Sequence, residues 1–482
     1  MLRLIFKNKP ATIALFFFLF VYLITAINSK GFYHWDEHYQ IIEFASYKLG
    51  KTPEKELAWE FKSQIRPAFQ PAITCFAFKI FGKVGFSSPF MNVMFLRLIS
   101  SILSFITLLF VSIVLIKKYP DKIFLILIIT FSLWFLPFIG ARYSSETMSG
   151  IFLTAGICTI LFLQKSKLSY ILAGTLLGIS FLFRFQSGIV IASTMLWLLF
   201  INKSTFKQLM FIVFPVLIVF CIGILIDKWF YGNWTITSFK YLYTTLFQEN
   251  APDFGISPWY YYLSSITIDG FLPVGILLIV ICLLYFITNI KSLISWVLIP
   301  FILIHCFIGH KELRFLFPIV FLLPFVISYF LLEFKLSSKL ACSFIFIFLV
   351  LNLVPMIVMA FRPANKEIAD LEYMNKRKIN ETFYYVIDNP ALIYGYYSLP
   401  SEDWYYYKTW IDSIPRIDTC KREKYLFIPN YEFKKIPKQY SSKVHQVHPE
   451  SSLIKKYYDF LSIPVENSDL DRTLYKFKNQ AY

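Results

Sequence analysis

The chain is dominated by long apolar runs that carry few or no charges. Eleven of them can be traced, at 11–27, 92–116, 123–139, 148–164, 168–183, 187–201, 208–227, 272–289, 293–309, 315–332 and 340–361. A hydrocarbon core about 30 Å thick needs about 20 residues of helix to cross it, and a helix satisfies its own backbone polar groups there. Runs of this length therefore predict a mainly α, polytopic membrane protein with about 11 transmembrane helices. Charged residues make up only 16% of the chain, against about 25% in ordinary soluble domains. The stretch 71–81 is apolar but short, which suits an interfacial or re-entrant segment.

The charges that remain are not scattered at random. The first run follows Arg3, Lys7 and Lys9 and ends without a small-x-small cleavage site, which reads as a retained signal anchor. With the N-terminus in the cytoplasm, segments 1–10, 117–122, 165–167, 202–207, 290–292 and 333–339 all fall on that side, and each carries at least one Lys. This is the positive-inside pattern, and it places the C-terminus outside. The formal net charge of +17 is thus a matter of topology and anionic headgroups rather than of a nucleic-acid partner. Seven Cys without a CxxC pair give no metal framework. They read as small, buried, unbonded residues.

Residues 1–361 form the expected membrane domain, with a long first extracytoplasmic loop at 28–91. From 362 to 482 the chain turns polar and rich in Tyr and Lys. Short strand patterns at 391–394 and Lys424–Pro429 predict a small α/β domain outside the membrane. No internal repeat is evident, which weighs against a repeat-built transporter.

The segments with a chemical look all fall on the outer side. The first loop opens with His34-Trp35-Asp36-Glu37-His38, followed by Gln40 and Glu43. A carboxylate held there can serve as a general base toward a lipid-delivered substrate. Asp36 also begins a predicted amphipathic helix over 36–46, where it can simply cap the helix. Glu60 and Arg66 lie further along the loop, and Arg suits phosphate because its planar fork makes paired hydrogen bonds. A surface ion pair among several acids is the more ordinary explanation of this motif by itself. Arg142 and Glu146 have the spacing of a helical ion pair. Arg184 sits between two apolar runs, where a charge needs a partner or a cavity. His310, Lys311 and Arg314 line an outer helix end, suited to a lipid phosphate or to headgroup anchoring. Trp259 lies in an aromatic loop, either an interfacial belt or a sugar-stacking surface.

Taken in order, these segments resemble the Alg9-like mannosyltransferases of N-glycan and GPI-anchor assembly, within the GT-C superfamily. His34-Trp35-Asp36-Glu37 is similar to that family's His-Pro-Asp-Glu opening. Ala58-Trp59-Glu60-Phe61 with Ile65-Arg66-Pro67 is similar to its Thr-Trp-Glu-Trp and Ile-Arg-Ser elements. Arg142-Tyr143-Ser144-Ser145-Glu146 loosely matches a third motif. Tyr231-Gly232 and Gly255-Ile256-Ser257-Pro258-Trp259 match two more, and His310-Lys311-Glu312-Leu313-Arg314-Phe315 resembles the His-Lys-Glu-x-Arg-Phe signature. Trp35 and Pro67 depart from the pattern.

The resemblance implies a GT-C-type bundle and an inverting transfer, most often of mannose, from a polyprenyl or dolichyl phosphate sugar to a glycan or glycolipid acceptor. It implies Asp36 as base, with Glu37 orienting it or the acceptor. His34, Glu60, Arg66, Arg142, Arg184, Trp259, His310, Lys311 and Arg314 are then the expected substrate-binding residues. The transfer requires no metal and no cofactor in principle. Two alternatives stand beside it: a lipid-donor transferase for another hexose or pentose, and a polytopic transporter or lipid-glycan flippase. A bacterial source would place the protein in the plasma membrane, a eukaryotic one in the endoplasmic reticulum membrane.

Overall fold

A computed structural model describes residues 1–163, 166–247, 255–333 and 338–376, and beyond them Tyr397 and five short strands. Each of the eleven apolar runs falls on an apolar helix or a bent pair of helices. Among the described residues, four helices are long and apolar enough to cross a membrane: Lys9–Asn28, Pro89–Lys118, Ser145–Leu163 and Phe206–Tyr231. The count is six if each bent pair, Pro120–Phe131 with Phe135–Ala141 and Leu313–Val320 with Leu323–Glu333, is one span. Four of the other runs form helices of 10–17 residues, and the run at 340–361 lies in the 23-residue helix Ser338–Ala360. At 1.5 Å per residue the four shorter helices rise about 15–26 Å, less than a hydrocarbon core.

Local chemistry sets many of the helix starts. The Asn8 side chain accepts from the Ala11 N–H at the head of Lys9–Asn28. Ser166 and Ser292 cap Lys167–Phe183 and Leu293–Phe307 in the same way, and Thr205 with Gln208 forms a capping box on Phe206–Tyr231. These caps sit in the short lysine-bearing loops, so one residue there both ends a connector and starts a helix. The break at 132–134 leaves backbone groups free, and the Trp134 N–H donates to Asn352 Oδ1 at 3.3 Å. A side chain from a neighbouring helix thus repairs a broken one.

Packing is close where small residues meet. Helix Pro89–Lys118 buries Ser100, Ser101, Ser104 and Ser112 along one face. Ser101 donates to the Tyr22 carbonyl and Ser100 to that of Arg142, each at 2.9 Å. Gly150 decides how Ser145–Leu163 meets the second bent pair. A Cβ there would lie 2.8 Å from the Pro318 carbonyl oxygen, so only glycine allows this approach.

The first loop is largely helical. A π-helix, Glu37–Glu43, continues into Phe44–Lys48, where an amphipathic α-helix was expected. The short apolar stretch forms helix Phe69–Lys83. In the tail the strand expected at Lys424–Pro429 is present, whereas 391–394 lies outside the described residues. Strands β1 (Phe383–Val386), β2 (Trp404–Tyr407), β3 (Lys424–Pro429), β4 (Val444–Gln446) and β5 (Arg472–Phe477) pair in the order β2-β1-β3-β5-β4. β1 runs parallel to β2 and β3, and β5 runs antiparallel to β3 and β4. The Tyr397 ring stacks on His38 and Phe90. Five cysteines with described side chains are unbonded; Cys221 is exposed rather than buried.

Candidate active site

The loop before the π-helix is fixed by charge and by backbone. Gly31 has φ +75°, and a Cβ there would meet Asn365 at 2.6 Å. The Lys30 carbonyl accepts from the Ala364 and Asn365 N–H groups, each at 2.9 Å. Arg142, with 0% exposure, donates to the carbonyls of Ser29 and Gly31 and lies 3.8 Å from Glu37 Oε2. Arg142 therefore holds the base of this loop from below. The helical pair with Glu146 suggested by their spacing is replaced by these contacts.

Asp36 stands at the head of the π-helix but makes no side-chain cap. Its Oδ2 accepts from Arg314 Nη1 at 2.7 Å and lies 3.7 Å from Arg66 Nη2. The same Arg314 bonds Glu146 Oε1 at 3.2 Å and grips Glu312 with Nε and Nη2. Arg184 Nη2 reaches Glu146 Oε1 at 3.2 Å, and Arg66 Nη2 lies 3.5 Å from Glu60 Oε1. Glu60 also accepts from Gln40 Nε2 at 2.8 Å. Phe315 lies between two of the cations, 5.4 Å from the Arg314 and 5.5 Å from the Arg184 guanidinium carbon. Segments from five parts of the chain thus meet in one network around one carboxylate.

The histidines divide their labour. The Asp36 N–H donates to His34 Nδ1 at 3.3 Å, which leaves His34 Nε2 as the protonated nitrogen, 3.2 Å from Glu312 Oε2. Burial and then Arg314 pull the His34 pKa down against the pull of Asp36 and Glu312, so this neutral tautomer holds near pH 7. His38 lies 2.9 Å from Glu43, which accepts from Thr52 at 2.6 Å. The second histidine of the opening motif is thereby packed away from Asp36. His310 Nε2 lies 2.9 Å from Glu312 Oε1. Lys311 turns to backbone, donating to the Ser257 carbonyl at 2.7 Å, and pins the 255–258 loop. Trp259 is 65% exposed and packs edge-on against Tyr260, outside the network of ion pairs.

Adjacent acids are pushed in opposite directions. Burial raises the Asp36 pKa, but Arg314, Arg66 and His34 overcome it and hold the carboxyl well below the usual range. Glu37 is raised to about 7, because burial and Glu146 outweigh its one arginine, Arg142. Glu312 is held at about 2, as Arg314 and the two histidines overcome its burial. Asp36 is therefore ionised throughout the physiological range, while Glu37 shares a proton near neutrality.

Glu146 and Glu312 belong to the network but were absent from the expected site residues. The signal was present: each lies in a quoted motif with an arginine. Pairing Glu146 with Arg142 by spacing hid its role as the acid that meets Arg314 and Arg184.

An apolar cavity of about 310 Å³ opens beside the network. Its wall includes Phe138, Leu278, Phe317 and Val320, and two further lining residues, Tyr33 and Leu313, are chain neighbours of His34 and Arg314. A smaller polar cleft bears Gln40, Arg66, Gln70, Arg184 and Tyr241 and shares no lining residue with the cavity.

This fold matches solved structures of ArnT. ArnT from Cupriavidus metallidurans, solved bound to undecaprenyl phosphate, superposes with a TM-score of 0.57 at 10% identity, covering 97% of this chain and 98% of that one. Its apo form gives 0.53 at 10% identity, with 98% of each chain covered. The chain therefore has the fold of ArnT, built on several apolar helices long enough to cross a membrane. The sequence then places it further: the profile of the Alg9-like mannosyltransferase family matches residues 13–405, and the chain belongs to that family. Curated relatives include Mannosyltransferase APTG1 of Arabidopsis thaliana, 25% identical over 65% of this chain and 57% of that protein. GPI alpha-1,2-mannosyltransferase 3 of Homo sapiens is 22% identical over 65% of this chain and 56% of that protein. The chain thus spans a little over half the length of these relatives.

Proposed function

We propose that this protein is an inverting glycosyltransferase that moves a sugar, with mannose as the leading candidate, from a polyprenyl-phosphate donor to a glycan or glycolipid acceptor. One observation carries the reading: an ionised carboxylate, Asp36, sits among arginines beside an apolar cavity. The cavity suits the prenyl chain, and the arginines suit the phosphate at its end. The undecaprenyl phosphate held by ArnT and the mannosyltransferase names of the relatives support that donor chemistry.

The chemistry follows from charge competition. With Arg314 and Arg66 on it, Asp36 is a weak base. A donor phosphate entering beside Arg314 shares that guanidinium, and the Asp36 carboxylate becomes more basic. Asp36 then takes the proton of the acceptor hydroxyl, whose oxygen attacks C1 from the face opposite the phosphate. The C1–O bond to phosphate breaks, and polyprenyl phosphate leaves with the bonding pair. Arg314 and Arg66 stabilise its growing charge. Glu146 and Glu312 hold Arg314 in place during the exchange.

The finer placement is part of this proposal. The basic short loops support a cytoplasmic N-terminus, eleven membrane passages and chemistry on the extracytoplasmic face. They put the five-stranded tail on that same face as a small α/β domain.

Transfer from purified polyprenyl-phosphate mannose to a panel of glycolipids tests the reading. Asp36→Asn should fold, judged by a cooperative melting transition, and lose at least about a thousandfold in transfer. Wild-type rates in that variant would remove Asp36 from the base role. No turnover with any mannosyl donor would sink the mannose assignment.

A further inference from the structure

The polar cleft next to Asp36 carries two buried atoms that the ion-pair network does not use. Gln70 is 2% exposed, and its Nε2 donates to the Tyr143 carbonyl at 3.1 Å. That bond fixes the amide, so Oε1 is the atom left over, and it has no hydrogen-bond partner among the described residues. Arg66 Nε is likewise buried without one, although Nη2 of the same guanidinium lies 3.7 Å from Asp36 and 3.5 Å from Glu60. Both residues line the cleft. Leaving a buried donor and a buried acceptor unmet costs about 1–3 kcal/mol each, so a site that keeps both is built for something that arrives.

The pair of atoms specifies what arrives. A phosphate accepts hydrogen bonds only, so it would satisfy Arg66 and leave the Gln70 oxygen unmet. A hydroxyl both donates and accepts. The cleft is small, about 30 Å³ against about 310 Å³ for the apolar cavity. Tyr241 forms part of the same wall, its ring centre 5.9 Å from the Arg66 guanidinium carbon. Its hydroxyl is fixed by Gln186 Nε2 at 2.6 Å. Amide, guanidinium and aromatic faces together are the chemistry that recognises a sugar.

We propose that the cleft formed by Arg66, Gln70 and Tyr241 binds a hydroxyl of the acceptor sugar, with Gln70 as a specificity-determining residue. This deepens the function proposed above and rests on it for the identity of the sugar as acceptor. One guanidinium then links the two halves of the site: Nη2 faces the base and Nε holds the acceptor. The acceptor is gripped from the polar cleft while the donor chain fills the separate apolar cavity, so each substrate has its own entry.

The test is equilibrium binding of octyl α-mannopyranoside and its 2-, 3-, 4- and 6-deoxy analogues to purified full-length protein in detergent. Wild type should bind the mannoside and lose about tenfold with one of the analogues, as expected for one lost hydrogen bond that leaves a buried group unmet. Gln70→Met should bind the mannoside about tenfold more weakly and show no further loss with that analogue. Gln70→Glu, which keeps an acceptor oxygen, should retain the discrimination, and this arm also stands if Gln70→Met does not fold. The proposal is overturned if wild type does not bind the mannoside at tens of millimolar. It is also overturned if Gln70→Met keeps the analogue discrimination, if a folded Gln70→Glu loses it, or if inorganic phosphate is the ligand whose binding Gln70→Met weakens. Binding as expected without any transfer from polyprenyl-phosphate mannose would leave this site standing and remove the reaction assigned above.

Discussion

The network around Asp36 and the cavity beside it touch along the same short stretches of chain but are held together in opposite ways. In the network nearly every contact is a charge pair, and each arginine serves more than one partner: Arg314 alone serves Asp36, Glu146 and Glu312. In the cavity the wall is almost wholly apolar, with Asp269 and Arg362 its charged members. Charges pulled from water must be matched group by group, and removing one strands the others. An apolar wall is additive and forgiving, and it loses only the area or volume that changes. The network is therefore brittle and exact in composition, whereas the cavity tolerates change and discriminates by length and bulk.

The comparison breaks most visibly at Arg314. Replacing it with Met leaves one buried carboxylate, Glu146, and two partly buried ones, Asp36 and Glu312, short of their shared cation. We expect a loss of about 3–5 kcal/mol in stability, read as a lower melting midpoint in detergent, together with loss of transfer. A stable Arg314→Met protein would mean the acids find other partners and the network is not brittle. The matching change in the cavity is Ile279→Trp, on its lining. It should leave the melting midpoint within a few degrees and raise the half-saturating concentration of a long-chain prenyl donor about tenfold. A short-chain donor should be spared. Equal effects on both donors would remove the cavity from lipid binding.

The smallest expected effect sharpens the network itself. Glu37 holds its proton more tightly in the folded protein than in the unfolded one, where its ordinary value is 4.5. Between these values the folded state binds more protons, so its stability falls as pH rises from about 4.5 to about 7. Asp36 and Glu312 act in reverse: their pKa values are depressed, and their contribution is lost only under more acidic conditions. Melting midpoints measured from pH 5 to 8 should therefore fall more steeply, or rise less, in wild type than in Glu37→Gln, because His34, whose pKa is lowered, adds stability with rising pH up to about 6.5 in both proteins. An unchanged slope in Glu37→Gln would put the titration elsewhere.

Much of this was legible without coordinates. Apolar runs announce helices wherever they occur, because burial in lipid requires them, and all eleven runs are helical. The strand at Lys424–Pro429 was legible from its β-rich composition. Asp36 and Arg66 stood out as charges close to membrane segments. The partner choices were not legible. Spacing suggested that Arg142 would meet Glu146, yet Arg142 turned to Glu37 and to two carbonyls, and Glu146 was taken by arginines 38 and 168 positions away in the chain. Lys311 looked like a phosphate ligand and holds backbone instead.

The sequence alone determined that this chain is built of apolar helices suited to a membrane and that its chemistry-bearing residues lie in a few loops. These follow from composition and local order, which a chain carries whatever its neighbours. Only the tertiary structure decided which arginine answers which acid, that neighbouring Asp36 and Glu37 differ in protonation, and that Gln70 and Arg66 present unmet atoms to one cleft. Those outcomes depend on groups brought together from distant segments, and at these distances a shift of one or two ångströms changes the partner and with it the charge.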